Sequence, residues 1–152
     1  VTVDVKLPQI GSCRCGEVML EVAKAPIMTA ACHCRGCQKM SASAFSLTAM
    51  VPAEGFRVVS GDVVKGGIQG PELDHYVCPF CKTWMFTRIT GFDAVVNVRP
   101  TLFEVAEWTV PFIETMTSAR LPWVRIPVQH SFDGMPDPAQ FPALLAAYAT
   151  RI

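Results

Sequence analysis

The chemistry legible in this chain sits in its seven cysteines, and they are clustered. Cys13 and Cys15 form a C-x-C pair. Cys32, Cys34 and Cys37 form a C-x-C-x-x-C triplet, and Cys78 and Cys81 a C-x-x-C pair. Cysteines one or two residues apart are poor disulfide partners but natural chelate pairs, because a tight turn brings their sulfurs to within about 2.3 Å of a common point. Zinc is the default ion for such a thiolate set in a reducing compartment. A closed structural site takes four ligands, and a reactive one takes three and keeps a position open. Seven divides into four and three. The triplet is self-contained, while the two pairs, more than sixty residues apart, would meet as two arms of one all-cysteine site. The alternative joins one pair to two of the triplet and leaves three thiols over; the first division uses every thiol.

Other readings of these residues are weaker. An odd number of cysteines excludes complete disulfide pairing, and 7 in 152 residues lies below the range of disulfide scaffolds. Cys78-Pro79-Phe80-Cys81 has the look of a dithiol redox motif, which requires a helix starting at the motif. The following Thr83 to Thr87 is β-branched and aromatic and reads as a strand. His33 lies between two candidate ligands, and in an extended segment its side chain points away from theirs. His75 and His130 are isolated and read as surface or core histidines.

The two sites would differ in charge. Zinc with four thiolates is formally −2 and coordinatively closed, so it holds the fold. With three thiolates it is −1 with one position free. Such an ion activates water weakly but accepts one more soft thiolate. The expected reaction is the making or breaking of a carbon–sulfur bond, the metal serving as template and thiol activator. Arg35 and Lys39 flank the triplet, where they read as solvated charges or as groups that steer an anionic thiol.

The elements that must position these thiols read as strands. Glu17–Val22 puts Val18, Leu20 and Val22 on one face and two glutamates on the other. Phe45–Val51, Phe56–Ser60, Val63–Lys65, Asp74–Val77, Thr83–Thr87, Ala94–Val98 and Trp123–Val128 follow, separated by Gly and Pro turns. Their spacing predicts antiparallel sheets with the cysteine motifs on loops and hairpin ends. Twelve prolines leave little room for helices. One is expected near the end, with Asp137 as N-cap, Pro138 and Gln140 behind it, a start near Phe141, and Leu144, Leu145 and Tyr148 on one face. Trp84, Phe86 and Trp123 read as packing residues that could also line a pocket.

Composition bounds the rest. The 152 residues, 51% hydrophobic and 17% charged, suit one domain, residues 1–152. Net charge is zero, with 13 basic and 13 acidic side chains and no basic cluster, which argues against nucleic acid and anionic membrane as partners. No apolar run approaches the ~18 residues of a membrane span. No charged-then-apolar leader opens the chain, which points to the cytoplasm, and a start at Val1 is consistent with removal of an upstream stretch.

Taken in order, the motifs resemble those of a known family. Gly11-Ser12-Cys13-Arg14-Cys15-Gly16-Glu17-Val18 resembles the opening motif of the glutathione-dependent formaldehyde-activating enzymes. Cys32-His33-Cys34-Arg35-Gly36-Cys37, followed by Ser41 and Phe45, resembles their second motif, and Cys78-Pro79-Phe80-Cys81 their third. Pro122-Trp123-Val124 and Phe132-Asp133-Gly134-Met135-Pro136 resemble the family's tail, so the likeness covers about residues 10 to 138. It implies a mainly β fold of the β-tent type with zinc knuckles. It implies a structural zinc on Cys13, Cys15, Cys78 and Cys81, and a labile catalytic zinc on Cys32, Cys34 and Cys37. It also implies a carbon–sulfur lyase that condenses formaldehyde with glutathione to S-hydroxymethylglutathione. A non-catalytic zinc module that binds a protein partner is the alternative, since fold does not dictate function. The chain departs from the family pattern at five places. Lys82 and Ala42 stand where Gly is usual, Gln38 where a basic residue is common, His75 where Arg is frequent and Glu114 where His is frequent. The last three substitutions remove basic groups that would bind carboxylates.

Overall fold

A computed structural model describes residues 3–68, 70–104 and 107–152; Val1, where the sequence begins, lies outside them. The strands are β1 (Gln9–Ser12), β2 (Met19–Val22), β3 (Met28–Cys32), β4 (Ser46–Pro52), β5 (Phe56–Ser60) and β6 (Val64–Lys65). They continue with β7 (Leu73–Val77), β8 (Trp84–Ile89), β9 (Val95–Val98), β10 (Ile113–Thr115) and β11 (His130–Ser131). The described residues include two α-helices, α1 (Arg35–Ser41) and α2 (Phe141–Ala149). Among the described residues, no helix is long and apolar enough to cross a membrane.

The strands form two sheets, one ordered β1-β2-β5 and one ordered β11-β10-β3-β4-β9-β8-β7-β6. Alternation sets their inner faces. Val18, Leu20 and Val22 from the small sheet are buried against Ala49, Val51, Phe86, Val96 and Val98 of the large one. Phe56 of β5 meets Phe86 of β8 edge to face at 4.8 Å. A satellite core of Met28, Phe112, Ile113, Leu144 and Tyr148 seats α2 on β3 and the segment leading into β10. Burying Leu144 contributes about 1.5–3 kcal/mol, and Phe112 and Tyr148 meet edge to face at 5.5 Å.

Several expectations hold. The alternating stretches at β2, β4, β5, β6, β7, β8 and β9 are strands. Near the C-terminus, Asp137 caps a 3-10 turn over Pro138–Gln140 with a reciprocal capping box, and α2 then starts at Phe141. Pro142 falls in the first turn, where its missing donor costs nothing.

Three expectations are corrected. Trp123–Val128 is irregular, because Pro122 and Pro127 interrupt a ladder on both sides. The sheets are not wholly antiparallel: β10 lies parallel to both β3 and β11. The cysteine triplet does not sit on a hairpin loop; it spans the end of β3 and the first turn of α1, a helix absent from the local pattern.

Candidate metal centres

Cys13 and Cys15 lie in the hairpin turn between β1 and β2, and Cys78 and Cys81 in the hairpin turn between β7 and β8, which belong to different sheets. Each turn wraps its own sulfur. Val18 N–H donates to Cys13 Sγ at 3.3 Å, and Cys81 N–H to Cys78 Sγ at 3.5 Å. The turns are tied together by Arg14 N–H donating to Thr83 Oγ1 at 3.1 Å. The sulfurs converge: Cys13 and Cys15 are 3.5 Å apart, Cys15 and Cys78 3.8 Å, and all four lie within 4.8 Å of one another. Tetrahedral coordination at 2.3 Å needs sulfur–sulfur spacings of about 3.8 Å, so this set fits a metal ion.

The second cluster is built differently. Cys32 ends β3, paired with Ser46 of β4 and Thr115 of β10. Cys34 has extended backbone and caps α1, its sulfur accepting from Cys37 N–H at 3.3 Å. That capping bond brings Cys37 back over Cys34, and the three sulfurs lie within 4.8 Å of one another, all half-buried. The donor set therefore fits a metal ion with three thiol ligands from one short segment.

Five of the thiols are shifted by their neighbours. Cys32 is lowered to about 5, because Cys37 donates to its thiolate, with further help from the Cys34 backbone and Thr115. Cys37 is pushed up in turn, by holding that shared proton and by burial, while Ser46 opposes the rise. In the four-thiol cluster Cys81 falls to about 5 through the Thr83 hydroxyl. Burial works to raise Cys13, but the Val18 amide, Cys15 and Cys78 hold it below its ordinary value. The Glu17 amide favours the Cys15 thiolate, yet burial and its neighbouring thiols push it up to about 12. Groups that share protons in this way are what a soft cation deprotonates together.

Behind the triplet lies a buried polar network. His33 is fully buried, and its Nε2–H donates to Glu114 at 2.7 Å. Glu114, 3% exposed, also accepts from Arg120 at 3.1 Å and from the Ser131 hydroxyl at 2.6 Å. Burial works against its charge, but Ser131, His33 and Arg120 together keep its carboxyl below the usual carboxylate range. His33 thus points away from the sulfurs on either side of it. Gln38 is buried as well, its Nε2 donating to His33 O at 2.7 Å and Ala119 O at 3.0 Å. Arg35 and Lys39 are exposed, and Arg35 bonds Gln38. His130 is exposed against the Phe112 ring, and His75 is half-buried with its Nδ1 2.8 Å from Thr87 Oγ1. Phe86 is core, Trp123 is exposed, and Trp84 is half-buried.

Sequence reasoning missed Arg99. It is 8% exposed at the end of β9, with its guanidinium 4.1 Å from the centre of the Trp84 ring. Burial lowers its pKa to about 10, against the pull of Cys37 and Cys32, so it stays charged at neutral pH. Its only signal in the sequence is an arginine following an apolar strand, which is indistinguishable from a solvated strand end.

Fold and clusters together define a β-rich protein with two sets of thiols able to hold a metal ion. Residues 8–119 match the family model described as glutathione-dependent formaldehyde-activating enzyme, and the chain belongs to that family. A crystal structure of a Rhodobacter sphaeroides protein is similar in fold, with a TM-score of 0.53 at 20% identity, covering 64% of this chain and 90% of that one.

Proposed function

We propose that this chain is a zinc-dependent carbon–sulfur lyase acting on a thiol–aldehyde adduct, with formaldehyde and glutathione as the pair that the family description names. In this reading Cys13, Cys15, Cys78 and Cys81 hold a structural zinc, and Cys32, Cys34 and Cys37 hold a labile catalytic one. The observation that carries the reading is the unequal surroundings of the two clusters. Four thiols from two hairpins of different sheets converge on one point, whereas at the other cluster three half-buried thiols converge, all from one short segment. Zinc at the triplet would supply a soft cation that keeps an incoming sulfur as thiolate.

The chain's own residues supply position. The Cys34 cap and the Thr115 and Ser46 contacts fix where the three sulfurs point. The His33–Glu114 pair anchors the backbone between Cys32 and Cys34, since both side chains are buried and moving either breaks a buried hydrogen bond to a carboxylate. In the condensation, the thiol S–H bond is broken and the sulfur pair forms the new S–C bond. The carbonyl π pair goes to oxygen, which takes up a proton. No oxidant or reductant is needed.

The test uses the zinc-loaded protein with 13C-formaldehyde and a panel of thiols, following adduct exchange by NMR. The expected result is exchange faster than the uncatalysed rate for at least one thiol, abolished by Cys32→Ser in a variant that still folds and still binds one zinc. No acceleration with any thiol at saturating zinc overturns the reading.

A further inference from the structure

Arg99 is a buried cation whose donors are largely unspent. Its backbone N–H bonds Met85 O at 3.1 Å, and Pro100 follows at once, so the residue is held at the strand end. Its Nη2 reaches Asn97 O only at 3.5 Å, and its Nε is buried without a hydrogen-bond partner. Among the described residues no carboxylate pairs with it; the acidic partners Glu21, Glu54, Asp74 and Glu114 are engaged elsewhere. A buried charge in that condition is costly unless an anion meets it.

Arg99 lines a cavity of about 300 Å³ together with Trp84, Phe45, Ser41, Ser46 and Thr83. That volume is at the lower end of the range for small-ligand pockets. The guanidinium carbon lies 4.1 Å over the Trp84 ring, and a guanidinium held on an aromatic face keeps N–H donors for a carboxylate, which it matches in a fork. Trp84 is itself braced, with His75 edge-on at 5.2 Å and its own Nε1–H donating to Thr87 Oγ1 at 3.2 Å. Lining residues reach both clusters: Thr83 Oγ1 lies 3.1 Å from Cys81 Sγ, and Ser41 and Ser46 touch the thiol triplet. Ser41 lies on α1 and donates to Cys37 O at 2.7 Å, and the Ser46 hydroxyl contacts the Cys37 thiol.

We propose that this cavity is a carboxylate-binding subsite anchored by Arg99, which selects small thiols that carry a carboxylate and directs their sulfur toward Cys32, Cys34 and Cys37. The proposal rests on the reading of the triplet as a thiol site. It assigns the anionic end to a residue that neither Arg35 nor Lys39 replaces, because both of those are exposed.

Two thiols of equal length separate charge from sulfur: 3-mercaptopropionate and 3-mercapto-1-propanol. Their affinities for the zinc-loaded protein are measured by calorimetry for wild type, Arg99→Lys and Arg99→Met, with butyrate as a sulfur-free carboxylate. The expected result is at least tenfold tighter binding of the mercaptopropionate to wild type, reduced in Arg99→Lys and gone in Arg99→Met. Equal affinity of the two thiols for wild type overturns the proposal, as does a preference that survives Arg99→Met. An Arg99→Met effect on zinc retention alone, with no change in thiol selectivity, also overturns it and leaves Arg99 as a counter-charge for the thiolates. Arg99-dependent binding of butyrate as tight as that of the thiol acid supports the anchor while sinking the thiol reading. If Arg99→Met does not fold, the wild-type comparison and Arg99→Lys decide the matter.

Discussion

Lys82 occupies the left-handed region at φ +63°, directly after Cys81, in the position where the family pattern has Gly. The turn needs that conformation because Lys82 N–H must reach Cys78 O at 3.0 Å and Cys78 N–H must reach Thr83 O at 3.1 Å. A side chain there costs about 1–2 kcal/mol in steric strain. Ala42, the other departure from Gly, ends α1 in the same region at φ +50°. At both positions a residue with a side chain holds the left-handed conformation and bears its strain. Lys82→Gly is expected to raise stability by about 0.5–1 kcal/mol after allowing for the extra entropy of glycine in the unfolded chain. Lys82 Nζ also donates to Pro79 O at 2.6 Å; denaturant unfolding of the zinc-loaded protein checks the prediction, and a loss of stability would mean that this bond outweighs the strain.

At the scale of elements, the parallel edge of the large sheet depends on Glu114. From β10 its carboxylate holds His33 just beyond β3, Ser131 of β11 and Arg120 of the following loop. Parallel neighbours are not joined by a tight hairpin, so this side chain supplies a fastening that turn geometry supplies elsewhere. Glu114→Gln keeps the shape and removes the charge, and is expected to cost about 3 kcal/mol at pH 7. The pH dependence has a definite sign. A carboxyl depressed in the folded state contributes fully above its unfolded pKa of about 4.3, and the contribution is lost as pH falls through the folded value. Thermal unfolding of wild type should therefore lose stability below about pH 4.3 more steeply than Glu114→Gln does; identical slopes would show that Glu114 is not held in its charged form. The strands with clean alternation, such as β2 and β5, were legible as elements. β3 and β10 were not, because Thr and Ala in β3 and a three-residue β10 show no period. Neither was α1, whose seven residues include Gly36 and whose nucleus is the Cys34 cap.

For the molecule as a whole, a metal ion held by the four-thiol cluster would be a cross-link between the sheets. It would join the β1–β2 hairpin to the β7–β8 hairpin, with Cys13 and Cys78 buried in the shared core. The three-thiol cluster joins only β3 to the helix that follows it. Metal removal should therefore act unequally. Cys78→Ser is expected to lower stability by more than about 3 kcal/mol and to make melting insensitive to a chelator, because metal binding at such a site is folding free energy. Cys32→Ser should shift the melting temperature by a few degrees at most and leave the chelator response in place. Melting curves of the two variants with and without chelator check this, and equal responses would show that the sheets do not depend on the cross-link.

The sequence by itself determined which cysteines act together within each motif. Spacings of one and two residues place sulfurs on a single tight turn, and turn geometry is local. It also determined the family, through the order of three motifs, and the capped C-terminal helix, through Asp137, Pro138 and Gln140. The count of thiols and the resemblance pointed to the two distant pairs meeting, and only the tertiary structure decided how they do so, by packing two hairpins from different sheets across one core. The same holds for Arg99. Its charge is visible in the sequence, but its burial and its place beside Trp84 and the cavity follow from how β9 pairs with β4 and β8. Pairing of that kind joins residues far apart in the chain, and no local pattern encodes it.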